Sequence, residues 1–189
     1  MLRLLLAPLL ALLLAPTPPP AQLVVPGRSL GNLKLGADVA TLAPYGPADY
    51  GDAAMQKAWA TWYGTGHPAA QLDVYSTMIP GQDTHKSVQV VRATSTYFRL
   101  ANGLRNGSTL HQIQECYGQL PLATSYQLKA GPRYLYDDVK RGIAFELDGK
   151  TSTSLCRALV VHLPGQAVNK IYLAMPIYLK EVPVRNVRK

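Results

Sequence analysis

Leu33-Lys34-Leu35-Gly36 opens a short phrase that closes at Tyr45-Gly46, and Leu104-Arg105-Asn106-Gly107 opens a second that closes at Tyr117-Gly118. The two openings, at positions 33 and 104, lie 71 residues apart. Self-similarity at a fixed interval is the mark of a duplicated structural unit. The second copy carries the plainer helix signals. Gly107 supplies a turn, Thr109 a cap and Gln112 the third-residue partner of a capping box. Leu110, Ile113, Cys116 and Tyr117 then recur at helical spacing until Gly118. In the first copy Asp38 takes the cap position, and Val39 and Leu42 form the apolar face. Pro44 keeps that helix brief, because proline lacks the N–H and clashes with the preceding turn.

Strand-like alternation follows each helix. In the second copy Tyr134 and Tyr136 precede Asp137-Asp138, and Ile143, Phe145 and Leu147 alternate with Ala144, Glu146 and Asp148, as in a half-buried strand. Asp148-Gly149 marks a turn, and Leu155 to Leu163 returns with Leu159, Val161 and Leu163 on one face. In the first copy Trp59, Trp62 and Tyr63 stand where the tyrosines stand in the second, Leu72 to Tyr75 matches Ile143 to Glu146, and Ser87 to Ala93 matches the return strand. The order in both is helix, strand, strand, strand. Gly46 to Lys57 and Gly64 to Gln71 read as loops, and Tyr97 to Asn102 joins the copies without a linker. This predicts an α+β fold: two tandem helix-plus-antiparallel-strand repeats, over 27–97 and 98–165, forming one curved sheet with short helices on one face. Residues 166–189 make a basic tail, in which Pro176 demotes Lys170 to Leu179 to an edge strand.

The N-terminus reads as a secretory signal peptide over residues 1–21. Arg3 precedes an apolar stretch from Leu4 to Ala15, shorter than the roughly 20 residues a membrane span needs, and Pro16 to Ala21 follow. Cleavage is expected at Ala15 or Ala21, and the absence of cysteine before Cys116 argues against a lipoprotein. The expected location is secreted or periplasmic. Removal after Ala21 leaves 18 basic against 11 acidic residues, or +7. The segment from Lys170 to Lys189 holds +4 of that excess. Lys180, Arg185, Arg188 and Lys189 could meet an anionic surface, whereas no nucleic-acid motif is present. Two cysteines in an exported chain predict one disulfide, Cys116 to Cys156, tying helix to sheet in the second copy.

Few residues carry chemistry. His67, His85, His111 and His162 stand far apart with no partner at ligand spacing, so neither a metal nor a cofactor is expected. Ser152 and Ser154 lie in a polar loop without a nucleophile-elbow pattern. Asp137-Asp138 reads as an acidic turn countered by Lys140-Arg141, since adjacent strand residues point apart. The aromatic balance is more informative, at 11 Tyr and 2 Trp against 2 Phe. Tyrosine and tryptophan are favoured at interfaces, and Trp59, Trp62, Tyr63, Tyr134 and Tyr136 are the candidate binding residues. Their alternative use is to cover the core of each copy.

The phrase Leu33 to Gly46, its echo Gly103 to Gly118, and Tyr136-Asp137-Asp138-Val139-Lys140-Arg141-Gly142-Ile143-Ala144-Phe145 with a return strand to Pro164-Gly165 resemble the beta-lactamase-inhibitor-protein-like fold, a superfamily that includes small outer-membrane assembly lipoproteins. The resemblance implies two tandem units whose concave sheet face holds a partner protein, and a helix-to-strand disulfide within a unit. The chain lacks a lipobox cysteine and matches no inhibitor contact residue. The expected function is therefore an exported, non-catalytic module that binds a protein in the envelope or extracellular space through an aromatic-rich sheet face. The alternatives are a secreted inhibitor of an extracellular hydrolase, and a hydrolase with a site between the repeats.

Overall fold

Runs such as Ser-Val-Gln-Val-Val-Arg-Ala at 87–93 and Ile-Ala-Phe-Glu-Leu at 143–147 are short and rich in β-branched or aromatic residues, a composition that fits a pleated surface better than a helix. The computed structural model describes residues 22–64, 70–128 and 130–168, with the backbone of 180–181. The expected signal peptide falls outside the described residues. So do Lys170 to Leu179 and the tail charges Arg185, Arg188 and Lys189.

The strands are β1 (Gln22–Val25), β2 (Ser29–Leu30), β3 (Leu33–Lys34), β4 (Tyr50–Ala53), β5 (Lys57–Tyr63), β6 (Gln71–Thr77), β7 (Ser87–Ala93) and β8 (Phe98–Leu100), then β9 (Leu122–Leu128), β10 (Gly131–Asp138), β11 (Ile143–Leu147), β12 (Cys156–His162) and β13 (Lys180–Glu181). A 3₁₀ helix spans Val39–Tyr45 and an α-helix, α1, spans Leu110–Tyr117. Nine strands form one antiparallel sheet in the order β13-β9-β10-β11-β12-β7-β6-β5-β4. A second sheet runs β3-β2-β1-β8, with β8 parallel to β1.

The α+β expectation is corrected by this architecture. Strands account for 48% of the described residues and helix for 11%. Helical segments of seven and eight residues are too short to cover a nine-stranded sheet. A four-stranded sheet does much of that covering: Val24, Leu30, Leu33 and Leu100 pack in one cluster with Val74, Val91, Phe145 and Leu159 of the large sheet. Leu110 and Ile113 of α1 join the same cluster. Four strands follow each helix instead of three, because β4 lies inside a stretch that reads as a loop and β9 fills the segment between Gly118 and Tyr134.

The two halves of the large sheet carry matching hydrogen bonds. Gly36 N–H donates to Val88 O, as Gly107 N–H donates to Cys156 O. Val39 N–H donates to Lys86 O, as Leu110 N–H donates to Ser154 O. Asp38 caps the 3₁₀ helix by accepting from Ala40 N–H. Thr109 caps α1 in a reciprocal box with Gln112, at 3.2 and 2.9 Å. Tyr45 packs on Trp62 at 6.0 Å, and Tyr117 packs on Phe145 at 5.1 Å. The halves meet where β12 pairs with β7, Val161 opposite Val91.

One glycine fixes a crossing that no other residue permits. Gly142 turns β10 into β11 at φ 73°, and a Cβ there would stand 2.3 Å from His162 O and 2.7 Å from Gly27 Cα. Both obstacles are backbone, so the turn and the entry to β2 pack through the missing side chain.

Candidate functional site

Alternation along the central strands sends Ile143, Phe145 and Leu147 into the cluster beneath the small sheet, and Ala144 and Glu146 to the opposite face. That opposite face holds Trp59, Tyr75, Val90, Tyr126, Leu135, Val160 and Val168. It also holds a line of charge. Arg92 of β7 stands directly opposite Asp73 of β6, and its Nη1 donates to Asp73 Oδ2 at 2.8 Å. The same guanidinium reaches over β12 to Glu146 of β11, donating from Nε to Oε2 at 2.8 Å and from Nη2 to Oε1 at 2.9 Å. The strand it crosses presents Ala158 opposite Glu146, a side chain small enough to pass beneath. Planar, forked donors make Arg suited to such a bidentate pair.

The carboxylates are engaged on their other sides as well. Thr61 Oγ1 and Gln71 Nε2 donate to Asp73 Oδ1 at 2.7 and 2.8 Å. Tyr126 Oη donates to Glu146 Oε2. Arg133 of β10 ends the line: its Nε lies 3.5 Å from Glu146 Oε1, and among the described residues this buried nitrogen has no hydrogen-bond acceptor. The Arg133 side chain is 12% exposed.

Beside this line lies a groove of about 640 Å³. Its lining includes Gln71, Thr94, Ser95, Thr96, Asn106, Arg133, Asp148 and Arg157, together with the buried Arg92 and Glu146. Asp148 accepts from Leu155 N at 2.8 Å and from Arg157 Nε at 2.8 Å. Partial burial raises its pKa, but these bonds and the charges of Arg157 and Arg133 outweigh that effect, so the carboxyl titrates below the ordinary range.

A second buried polar pair lies further along the same face. His162 Nε2 is 2.9 Å from Asp137 Oδ1, and His162 Nδ1 is 3.0 Å from Leu163 O. Asp137 Oδ2 also accepts from Val168 N at 3.1 Å. The reading of Asp137-Asp138 as an acidic turn covers Asp138 alone, which pairs with Arg141 at 2.7 Å. Asp137 faces the other way, as adjacent strand positions must. Among the described residues, no group of three or more His, Cys, Asp and Glu side chains is placed to hold a metal ion.

The candidate binding aromatics are divided between the faces. Trp59 is 8% exposed and lies against Tyr75 at 4.8 Å. Trp62 is half-buried against the other cluster and donates from Nε1 to Gly46 O at 3.2 Å. Tyr136 packs against that same cluster, and the half-buried Tyr134 ring lies 4.9 Å from Lys150 Nζ. Tyr63 is 48% exposed. The ladders account for this division. Trp59 stands opposite Tyr75, and Leu135 opposite Glu146, each just before a break in register. Trp59 thus corresponds to Leu135, and Tyr134 and Tyr136 to Ala58 and Ala60. A one-residue offset reverses the face of every side chain.

No bond joins the two cysteines expected to pair. Cys116 and Cys156 are free thiols, the first exposed and the second buried. Helix α1 turns Leu110 and Ile113 toward the sheet, which leaves Cys116 on its outer side. Cys156 Sγ donates to Ala158 O at 3.2 Å, and burial, with the Glu146 charge, pushes its pKa up to about 12.

Sequence reasoning missed Asp73, Arg92, Tyr126, Arg133 and Glu146. A signal existed: Asp73, Arg92 and Glu146 each stand between two apolar neighbours in a strand, and burial of a charge demands a partner. No family model matches the chain, and no curated protein does. Among solved structures it is similar to the crystal structure of the uncharacterized protein yfeY from Escherichia coli, at 7% identity and a TM-score of 0.39, over 73% of this chain and 98% of that one.

Proposed function

We propose that this chain is an exported, non-catalytic binding module that holds a protein partner by strand addition at β4. The carrying observation is the state of that edge. Among the described residues β4 pairs with β5 alone, and Gly51, Asp52 and Ala53 are exposed. At the opposite edge of the sheet, β13 lies against β9. The bond from Ala54 N–H to Lys57 O sets the phase of the β4–β5 ladder, in which Asp52 faces Trp59. By antiparallel alternation Gly51 and Ala53 turn their N–H and C=O groups outward. An unpaired edge of this kind is a template for an extended segment. Met55 at the adjoining turn is 86% exposed and Ile79 is 54% exposed. Gln56 O accepts from Met78 N–H at 2.9 Å, which ties these two apolar tips together.

Asp52 selects the occupant. A second copy of the chain, paired so that Gly51 and Ala53 are both used, sets Asp52 against Asp52, and like charges directly opposite are destabilising. The edge therefore favours an extended segment with Lys or Arg opposite Asp52 and apolar side chains toward Met55 and Ile79. The signal-like N-terminus supports an envelope or extracellular setting. The non-catalytic reading is supported at the Asp137–His162 pair, where both imidazole nitrogens are already engaged. Selection from a library of ten-residue peptides tests the proposal. Selected peptides should carry a cation between apolar residues and should protect the Gly51 and Ala53 amides from exchange. Binding should be lost in Ala53→Pro, which removes an outward N–H and leaves the β5 ladder intact. Peptides that bind Ala53→Pro as well as the parent would refute it.

A further inference from the structure

The groove beside Arg133 is separate from the β4 edge, and several of the acceptors that line it are already occupied. Thr94 O takes the Asn106 side-chain amide, and Asp148 takes Leu155 N–H and Arg157. Thr94 Oγ1 accepts from Gln71 N at 2.8 Å, and Ser95 Oγ accepts from Tyr97 N at 3.1 Å. Each hydroxyl keeps its own proton to give. Among the described residues Arg133 Nε has no hydrogen-bond acceptor and meets the Glu146 carboxylate only as an ion pair at 3.5 Å, an imperfect match for a buried donor.

We infer that the groove binds a small, acceptor-rich organic acid of the hydroxylated carboxylate type, such as a sugar acid. Its carboxylate lies against Arg133 and its hydroxyl oxygens accept from Thr94 and Ser95. A groove of about 640 Å³ has room for such a ligand. A neutral sugar brings no negative charge to the Arg133 guanidinium. A bare oxyanion leaves the hydroxyls unused.

Titration of the full chain with glucuronate, glucose and inorganic phosphate, followed by amide NMR shifts, tests the inference. Glucuronate should shift the amides of Thr94, Ser95 and Arg133 and bind at least about tenfold more tightly than glucose or phosphate. Arg133→Gln should weaken glucuronate by about tenfold or more. Because Arg133 also adjoins Glu146, Ser95→Ala serves as a second variant, with its fold checked by thermal unfolding, and should weaken glucuronate several-fold. Three results would overturn the inference: no shift in the groove with about 10 mM glucuronate, equal response to glucose, or unchanged binding in folded Ser95→Ala. Tighter binding of phosphate would assign the groove to a simple oxyanion instead.

Discussion

Replacing Arg92 with leucine removes three charge-assisted hydrogen bonds at once, two to Glu146 and one to Asp73. The carboxylate side chains left behind are 0% and 2% exposed. Asp73 would retain Thr61 and Gln71, and Glu146 would retain Tyr126 and the Arg133 guanidinium 3.5 Å away, so the unmatched charge falls chiefly on Asp73. Removing one member of a buried ion pair costs about 3–5 kcal/mol, because an uncompensated charge stays behind. For a chain of this size that corresponds to a fall in Tm of about 6–20 °C. Urea denaturation at neutral pH, followed by circular dichroism, gives the free energy directly. Arg92→Lys keeps the charge without the fork and should fall between parent and Arg92→Leu. A loss below about 1 kcal/mol in Arg92→Leu, the scale of a solvent-screened pair, would refute the reasoning.

Three further outcomes are expected. A thiol reagent should modify one cysteine, Cys116, in the folded chain and a second, Cys156, only after unfolding; no reactive thiol in the unreduced, denatured chain would establish a disulfide after all. Thr109→Ala should lower stability by about 1 kcal/mol through loss of the α1 cap, read by urea unfolding. Asp148 has a depressed folded pKa, so its contribution is present above the unfolded value near 3.9 and is lost as the pH falls through the folded one. The stability gap between parent and Asp148→Asn should accordingly be flat at neutral pH and close below about pH 4, which unfolding curves across the acid range would check.

What was legible in the sequence was local. Thr109 with Gln112, Asp38, and the closing glycines at 46 and 118 act on residues within one turn, so the helix starts and stops could be read directly. The β11 and β12 runs were legible for the same reason, since alternation within five to seven residues reports a pleat. Partners distant in the chain were not legible. Arg92 meets Asp73 across 19 residues and Glu146 across 54, and no spacing rule links such positions. The small sheet went unseen because β2 and β3 are two residues long and β8 joins β1 from far along the chain. The aromatic positions match one residue out of register, which puts both tyrosines on the face opposite Trp59.

The pairing of β7 with β12 has a consequence for how such a chain is put together. Each half runs outward from that seam in the same order of strands, so the junction has the character of a two-fold contact between like units. Half of the chain, standing alone, would end in a bare strand at the place where the intact protein is most deeply buried. Closing the halves on each other protects that strand without any added element, and moves the unprotected edges to the two far ends. Arg92 and Glu146 then clasp across the closure, a lock that neither half can form by itself.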